Sequence, residues 1–413
     1  MELDINIQKL SGEIEALALI SDAPPPAVTR VLYTDTDRRG RSFVMQMAQE
    51  CGLEVVIDAI GNIFMNWKGT DPELPPVATG SHTDAIPFSG KYDGVVGVLG
   101  AIEAMRALKR QGYQPVRTIQ LIMFTAEEPT RFGIGCLGSR ALCGNLLPEQ
   151  LLSLTDDQGA AFDTVRKSAG YHGDLSEVVL KRGHYHAFIE LHIEQGPRLE
   201  QLGVDIGVVT DIAAPATIRV TMDGEGGHAG AVLMPDRKDA LIGAAKIAVA
   251  VQEIAINSHS KNAVATVGKF EVFPGAVNSI PSTVNMEIDV RDIDGYNKNG
   301  MVQQIQALVN QVATDHQLSS QFTILNSDAP ATCDQHLLKT LENACVQLDL
   351  EYQRMISHAY HDALFMSQVC PTAMIFVPSR KGYSHRPEEF TSPGQLAKGV
   401  RVLAQVLAQL SAS

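Results

Sequence analysis

The sequence predicts an α/β protein with a second, α+β unit inserted into it. Three observations carry this. First, short apolar runs such as PPVAT, IQLIMF and TAMIFV end in loops bearing glycine, acid or histidine. Amphipathic helical stretches separate them, as in an α/β sheet with buried strands. Second, the texture changes near Ala213 and reads β-α-β-β-α-β as far as Ser327, the order of a ferredoxin-like split βαβ unit. Third, 413 residues are too many for one ordinary domain and comfortable for two. The expected division is 1–212 with 328–413 as the parent domain and 213–327 as the insert.

In chain order, residues 4–20 place Ile5, Leu10, Ile14, Leu17 and Leu19 largely on one helical side. Thr34–Gly52 gives a second helix with Phe43, Val44 and Met47 inward. Arg38, Arg39 and Arg41 near its start oppose the helix dipole and are expected to be solvated or salt-bridged. LEVVIDAI and NIFMNWKG meet at Gly61-Asn62 and predict a hairpin. Residues 95–111 form a helix stopped by GYQP, and 145–180 read as polar helix broken at Pro148 and Gly170. In the strand Phe188–Ile193, Glu190 and His192 alternate onto the other face, and Gln195-Gly196-Pro197 ends it. After the insert come a helix at HLLKTLENACVQL, His361-Asp362 at a helix start, the strand TAMIFV, and a closing amphipathic helix.

Composition narrows the class. Hydrophobic content of 45% with 19% charged residues fits a well-buried globular protein. A net charge of -14 disfavours nucleic acid and anionic membranes as partners, since both select basic surfaces. Six cysteines without CxxC spacing fit reduced thiols in a cytoplasmic protein, not a disulfide framework. The acidic, amphipathic start lacks the features of a signal peptide, and no apolar run is long enough to span a membrane.

The chemistry-bearing residues recur at strand exits. GSHTDAIPFSGKYDG holds His82, Asp84 and Asp93. The strand IQLIMF runs into Glu127-Glu128. His192 ends the next strand, and His385 lies in the loop after TAMIFV. Strand exits in an α/β sheet converge on one edge. His82, Asp93, Glu128, His192 and His385 would suit two divalent ions with one carboxylate bridging. Such a nitrogen and oxygen set fits Mn²⁺ or Zn²⁺, with Co²⁺ or Ni²⁺ also possible. Asp84, two residues from His82, is placed to accept the other imidazole N–H. Glu127 is left over from the ligand count. A carboxylate beside metal-activated water suits a general base that delivers the proton to a leaving nitrogen.

Six segments in order, GSHTDAIPFSGKYDG, FTAEEPTRFG, ELHIEQGP, GGHAG, PGAVNSIP and YSHRPEEF, resemble the M20 family of binuclear metallohydrolases over essentially the whole chain. The branch resembled contains N-carbamoyl-L-amino-acid hydrolases, allantoate amidohydrolases and ureidoglycolate amidohydrolases. The resemblance implies a catalytic domain with a mixed central sheet flanked by helices, and an inserted lid domain that also forms a homodimer. It implies hydrolysis of a C–N bond in a ureido or carbamoyl carboxylate with two divalent ions per subunit. Asp93 would bridge, His82 and His192 would hold one ion, Glu128 and His385 the other, and Glu127 would be the catalytic glutamate. His228 would support the oxyanion, and Asn278 and Arg291 would bind the substrate carboxylate, for which a guanidinium fork is suited. Gln195, Tyr360 and His361 complete the expected substrate-binding set. Plainer alternatives exist: His228 as a turn residue, Asn278 as a cap, Arg291 as an ion-pair partner, and Gln195 as a turn closure.

Departures from the branch's common pattern narrow the substrate. Ser357-His358-Ala359-Tyr360-His361-Asp362-Ala363 stands where most members have SGAGHDA. Ile212-Ala213-Ala214-Pro215 replaces a frequent Gly-Gln pair, and Ser89-Gly90 a Gly-Gly pair. Together with Ile86-Pro87-Phe88 these look most like the ureidoglycolate amidohydrolases. Tyr360 would shrink the pocket toward a small polar substrate, or simply fill space. Peptidases and aminoacylases of the family usually carry a carboxylate where this chain has His192, which argues against those activities.

Overall fold

The computed structural model describes residues 3–413. They form two compact units: residues 3–210 with Cys333–Ser357 and His361–Ser413, and Asp211–Thr332 with His358–Tyr360. The expected boundaries, 213 and 327, lie just inside the second unit, and His358–Tyr360 joins it from far along the chain.

The first unit begins with the helix Ile7–Ala18, which buries Leu10, Ile14 and Leu17 as its periodicity requires; Leu19, expected on the same side, caps the helix end and is exposed instead. Strand β1 (Val28–Arg30) follows, then the helix Asp35–Glu50. Of the arginines at its start, Arg38 pairs with Asp35, Arg39 is exposed, and Arg41 is fully buried. Arg41 pairs with Asp37 at 3.1 Å and donates to the carbonyl of Gly61 at 2.7 Å. β2 (Glu54–Ile57) and β3 (Ile63–Trp67) form the expected antiparallel hairpin. β4 (Val77–Ser81) leads into the first motif. Ala85–Ser89, read as loop, is instead a strand, β5, antiparallel to β1. Its pairing partners, Arg30 for Ala85 and Val28 for Ser89, lie far upstream, beyond the reach of local patterning. β6 (Ile119–Met123), β7 (Ala187–Ile193) and β8 (Ile206–Ile212) complete the first stretch. Residues 145–180 break into two short helices, Pro148–Ser153 and Phe162–Ser168, and a 3₁₀ turn, Leu175–Val178.

The second unit contains β9 (Ala214–Asp223), β10 (Gly227–His228), β11 (Val264–Phe273), β12 (Ser279–Ile280), β13 (Thr283–Asp292), β14 (Ser319–Ser327) and β15 (Ala331–Thr332). Its main sheet has the antiparallel order β11-β13-β9-β14. The helices Ala240–Ile256 and Gly295–Asp315, capped by Asp239 and Asp294, pack on it. Alternation in β13 sends Val284, Met286, Ile288 and Val290 into the shared core against Ile247, Ile305 and Val309. This is the β-α-β-β-α-β arrangement read from the sequence.

The chain then returns to the first unit through the helix Gln335–Gln347, β16 (Tyr352–Ser357) and β17 (Thr372–Val377), and closes with the helix Pro393–Leu410. The central sheet is mixed, in the order β8-β17-β7-β4-β6-β3-β2, with β16 beside β8. Strands β17, β7, β4 and β6 are parallel neighbours. The helix Val95–Arg110, buried over nearly its whole length, and the closing helix cover this region. The parallel strands have helices over them, and β7 is accordingly buried at all seven positions. The alternate face carrying Glu190 and His192 is therefore interior, not solvent.

Candidate active site

The four parallel strands bring their exits to one edge of the sheet, where an open α/β fold places its chemistry. His82 follows β4, Glu127 and Glu128 lie just past β6, His192 sits at the end of β7, and His385 lies in the loop beyond β17. Asp93 stands among them. Its Oδ1 is 3.5 Å from His82 Nε2 and 3.3 Å from His192 Nε2. Its Oδ2 is 3.6 Å from His385 Nε2, which is 3.2 Å from Glu128 Oε1. The two oxygens of one carboxylate thus face two separate groups: His82 with His192, and Glu128 with His385. Each trio has ligand atoms close enough to share one ion.

The imidazoles are held for that use. His82 Nδ1 lies 3.1 Å from the carbonyl of Asp84, and His192 Nδ1 lies 2.9 Å from the carbonyl of Ile193. Both Nδ1 atoms therefore carry the proton, leaving each Nε2 an acceptor, and that of His192 takes the N–H of Gly94 at 3.0 Å. His82 Nε2 is buried without a hydrogen-bond partner, an arrangement that costs free energy unless a ligand fills it. These residues fit a pair of divalent ions. Gly94 permits the approach: its φ is +65°, and an added Cβ would lie 2.4 Å from the His82 ring.

Asp84 lies beside His82 Nδ1, as expected of it, and has a second task. The nearer partner of His82 is its carbonyl, and its carboxylate is 3.5 Å away. That carboxylate instead accepts the backbone N–H groups of Glu127 and Glu128, at 3.3 and 3.0 Å. It fastens the second acidic loop to the first. Glu127 points inward, with Oε2 3.7 Å from His82 Nε2. Burial pushes its carboxyl well above the usual range, Glu128, Asp362 and Asp93 add to this, and His82 opposes it. Burial works against ionised Asp93 too, yet His192 and His82 hold its carboxyl well below the usual range. Burial and the neighbouring His192 hold the His361 imidazole well below its usual range, with Ser357 Oγ 3.0 Å from its Nε2. Three residues here, Ala126, Gln195 and His385, have positive φ without being glycine. Such backbone is held in place only where its surroundings over-determine it.

Several residues that sequence reasoning missed support the cluster. Ser384 Oγ donates to Asp93 Oδ2 at 2.5 Å. Glu389, 3% exposed, accepts the N–H groups of Tyr92 and Asp93. The Cys136 thiol donates to Glu127 Oε1 at 3.6 Å. Glu190 accepts from Ser81 Oγ and Ala363 N, and Asp362 accepts from Ser139 Oγ. The available signal was the EEF of YSHRPEEF and the acids alternating with His192. Nothing local distinguished them from surface acids. Gln195 donates its amide to Asp93 Oδ2 at 2.7 Å, while its Oε1 is buried without a partner.

The remaining predicted residues belong to the second unit. His228, exposed on β10, pairs opposite Ser279 on β12, and Ala229 N donates to the carbonyl of Asn278. His228 Nδ1 accepts from Gly230 N at 3.1 Å. Arg291 is ion-paired, as the plainer alternative held: its fork grips Asp289 through Nε and Nη2, at 2.7 and 3.2 Å. Its Nη1 donates to the carbonyl of His358, and its guanidinium lies 5.9 Å from the ring of Tyr360.

Acids and imidazoles gathered at the exits of four parallel strands form a centre able to hold metal ions, and comparison with known proteins places it. Residues 78–409 match the model of Peptidase family M20/M25/M40. The chain belongs to this family. It is 52% identical to the ureidoglycolate hydrolase of Arabidopsis thaliana, over 99% of this chain and 87% of that one. An N-carbamoyl-L-amino-acid amidohydrolase of Paenarthrobacter aurescens is 35% identical over 98% of both chains. An allantoate amidohydrolase of Bacillus subtilis is 32% identical over 97% of both. Crystal structures of AtUAH with glyoxylate and with (S)-hydroxyglycine superpose with a TM-score of 0.91 at 52% identity, covering 99% of this chain and 98% of theirs.

Proposed function

We propose that this protein hydrolyses ureidoglycolate to glyoxylate, two ammonia and carbon dioxide, with consumption of one water. The observation that carries the reading is Asp93 facing two ligand groups in a chain 52% identical, end to end, to a ureidoglycolate hydrolase. His82 and His192 would hold one divalent ion, Glu128 and His385 the other, and Asp93 both. Mn²⁺ or Zn²⁺ suits this donor set, with Co²⁺ or Ni²⁺ as further fits. Ions bound there supply Lewis acidity toward the ureido carbonyl and toward water.

Glu127 takes the proton of the attacking water and returns it to the departing nitrogen. Its carboxylate, 3.7 Å from His82 Nε2 and outside both ligand groups, is placed to hold and release a proton there. Ammonia leaves as the C–N bond breaks. Loss of carbon dioxide from the resulting carbamate leaves hydroxyglycine, which collapses to glyoxylate and a second ammonia. Glyoxylate and (S)-hydroxyglycine are the molecules named in the AtUAH complexes.

His228 supports the oxyanion, Asn278 and Arg291 receive the substrate carboxylate, and Gln195, Tyr360 and His361 border the substrate. Residues 213–327 serve as a lid and as the surface of a homodimer. The cytoplasm suits the six free cysteines, and among the described residues no helix is long and apolar enough to cross a membrane. The test is ammonia release from ureidoglycolate, abolished by chelation and restored by Mn²⁺. Metal-loaded protein that releases none overturns the reading. N-carbamoyl-L-amino acids and allantoate, run beside it, decide between this substrate and those of the other relatives.

A further inference from the structure

The C-terminal loop contributes more to the site than His385. Four residues on, Glu389 turns its buried side chain back under the first motif. Its Oε1 accepts two consecutive N–H groups, Tyr92 at 2.7 Å and Asp93 at 3.1 Å. Its Oε2 lies 3.2 Å from Ser384 Oγ, which in turn donates to Asp93 Oδ2. The peptide of Asp93 is therefore set directly from this one side chain, and the two carboxylates share the single Ser384 hydroxyl between them. The fit is close. A Cβ added at Gly90 would come within 2.3 Å of Glu389 Cβ and 2.4 Å of Oε1. Ser89, beside it, points the other way and donates to the carbonyl of Val28. The Ser89-Gly90 pair thus divides its work: the serine ties down the strand, and the glycine leaves room for Glu389.

We infer that Glu389 is a positioning residue that sets Asp93 to face both ligand groups and ties the loop carrying His385 to the loop carrying Asp93. This rests on the metal reading above. The side chain touches neither the proposed ions nor the proposed substrate, so it acts through Asp93. What matters is the reach of its acceptor oxygen. Aspartate, one methylene shorter, keeps the charge and loses the reach. Glutamine keeps an acceptor at the same reach, and its amide can face Ser384.

The test is Mn²⁺ binding to chelator-stripped full-length protein, with free Mn²⁺ read by its electron paramagnetic resonance signal and folding checked by circular dichroism. Glu389→Asp and Glu389→Ala are expected to weaken Mn²⁺ binding by about tenfold to a hundredfold, with Glu389→Gln within about threefold of the parent. Should the alanine variant not fold, the aspartate and glutamine variants decide alone. Equal affinity in Glu389→Asp and the parent, or a loss in Glu389→Gln as large as in Glu389→Asp, overturns the inference. Parent protein that takes up no Mn²⁺ overturns the metal reading and this inference with it. Failure to hydrolyse ureidoglycolate while binding Mn²⁺ bears on the substrate alone.

Discussion

The carboxylate of Asp84 accepts the backbone N–H groups of both Glu127 and Glu128. Two loops that are 43 residues apart in the chain are thereby fixed to each other by one buried side chain. Asp84→Ala leaves two interior N–H groups without an acceptor, at a cost of about 1–3 kcal/mol. Activity is expected to fall by about tenfold to a hundredfold as the acids lose their placement. Denaturant unfolding and steady-state rates measure the two effects. A variant as stable and active as the parent would show that the loops hold themselves.

Glu127 makes a sharper prediction. Glu127→Gln keeps the shape and removes the proton acceptor, so kcat is expected to drop by about a hundredfold to ten-thousandfold. Mn²⁺ uptake should be unchanged, since Glu127 lies outside both ligand trios. Loss of metal together with activity would move Glu127 into the ligand set.

Away from the site, Asp58 gives a pH signature. It accepts from Ile60 N, Asn62 N and Asn62 Nδ2 at the β2–β3 turn. Burial nevertheless pushes its carboxyl up to about 6. The folded state then binds a proton that the unfolded state releases near pH 4, so protonated Asp58 contributes stability at low pH. That contribution is full below about pH 4 and lost as pH rises through about 6. The stability of the parent relative to Asp58→Asn is expected to decline by about 1–3 kcal/mol between pH 4 and 7. Denaturant midpoints across that range measure it, and a relative stability that is flat or rises with pH contradicts the assignment.

Tyr360 tests substrate size. Its ring stands near the guanidinium of Arg291, the proposed carboxylate receptor. Tyr360→Gly opens space there, and the ratio of kcat/KM for a bulky N-carbamoyl-L-amino acid over ureidoglycolate should rise about tenfold. An unchanged ratio, measured side by side, would assign Tyr360 to packing.

Much of this protein is determined by its sequence alone. Apolar runs ending in His82, Glu128 and His192 identify strands and candidate ligands together, because burial and chemistry are both written in local residue order. The Gly61-Asn62 hairpin and the β-α-β-β-α-β insert follow from turn residues and periodicity for the same reason. Only the tertiary structure decided what each acid does. Asp84 was legible as a partner for His82, but its grip on Glu127 and Glu128 depends on β4 and β6 lying side by side. Glu389 reads as one of two surface acids in PEEF, yet it meets Tyr92 across 297 residues of chain. Arg41 reads as a poorly placed helix charge, yet burial beside Asp37 and Gly61 makes it a brace. Hydrogen bonds between remote loops leave no periodic trace, because they are fixed by where the sheet delivers its strand ends.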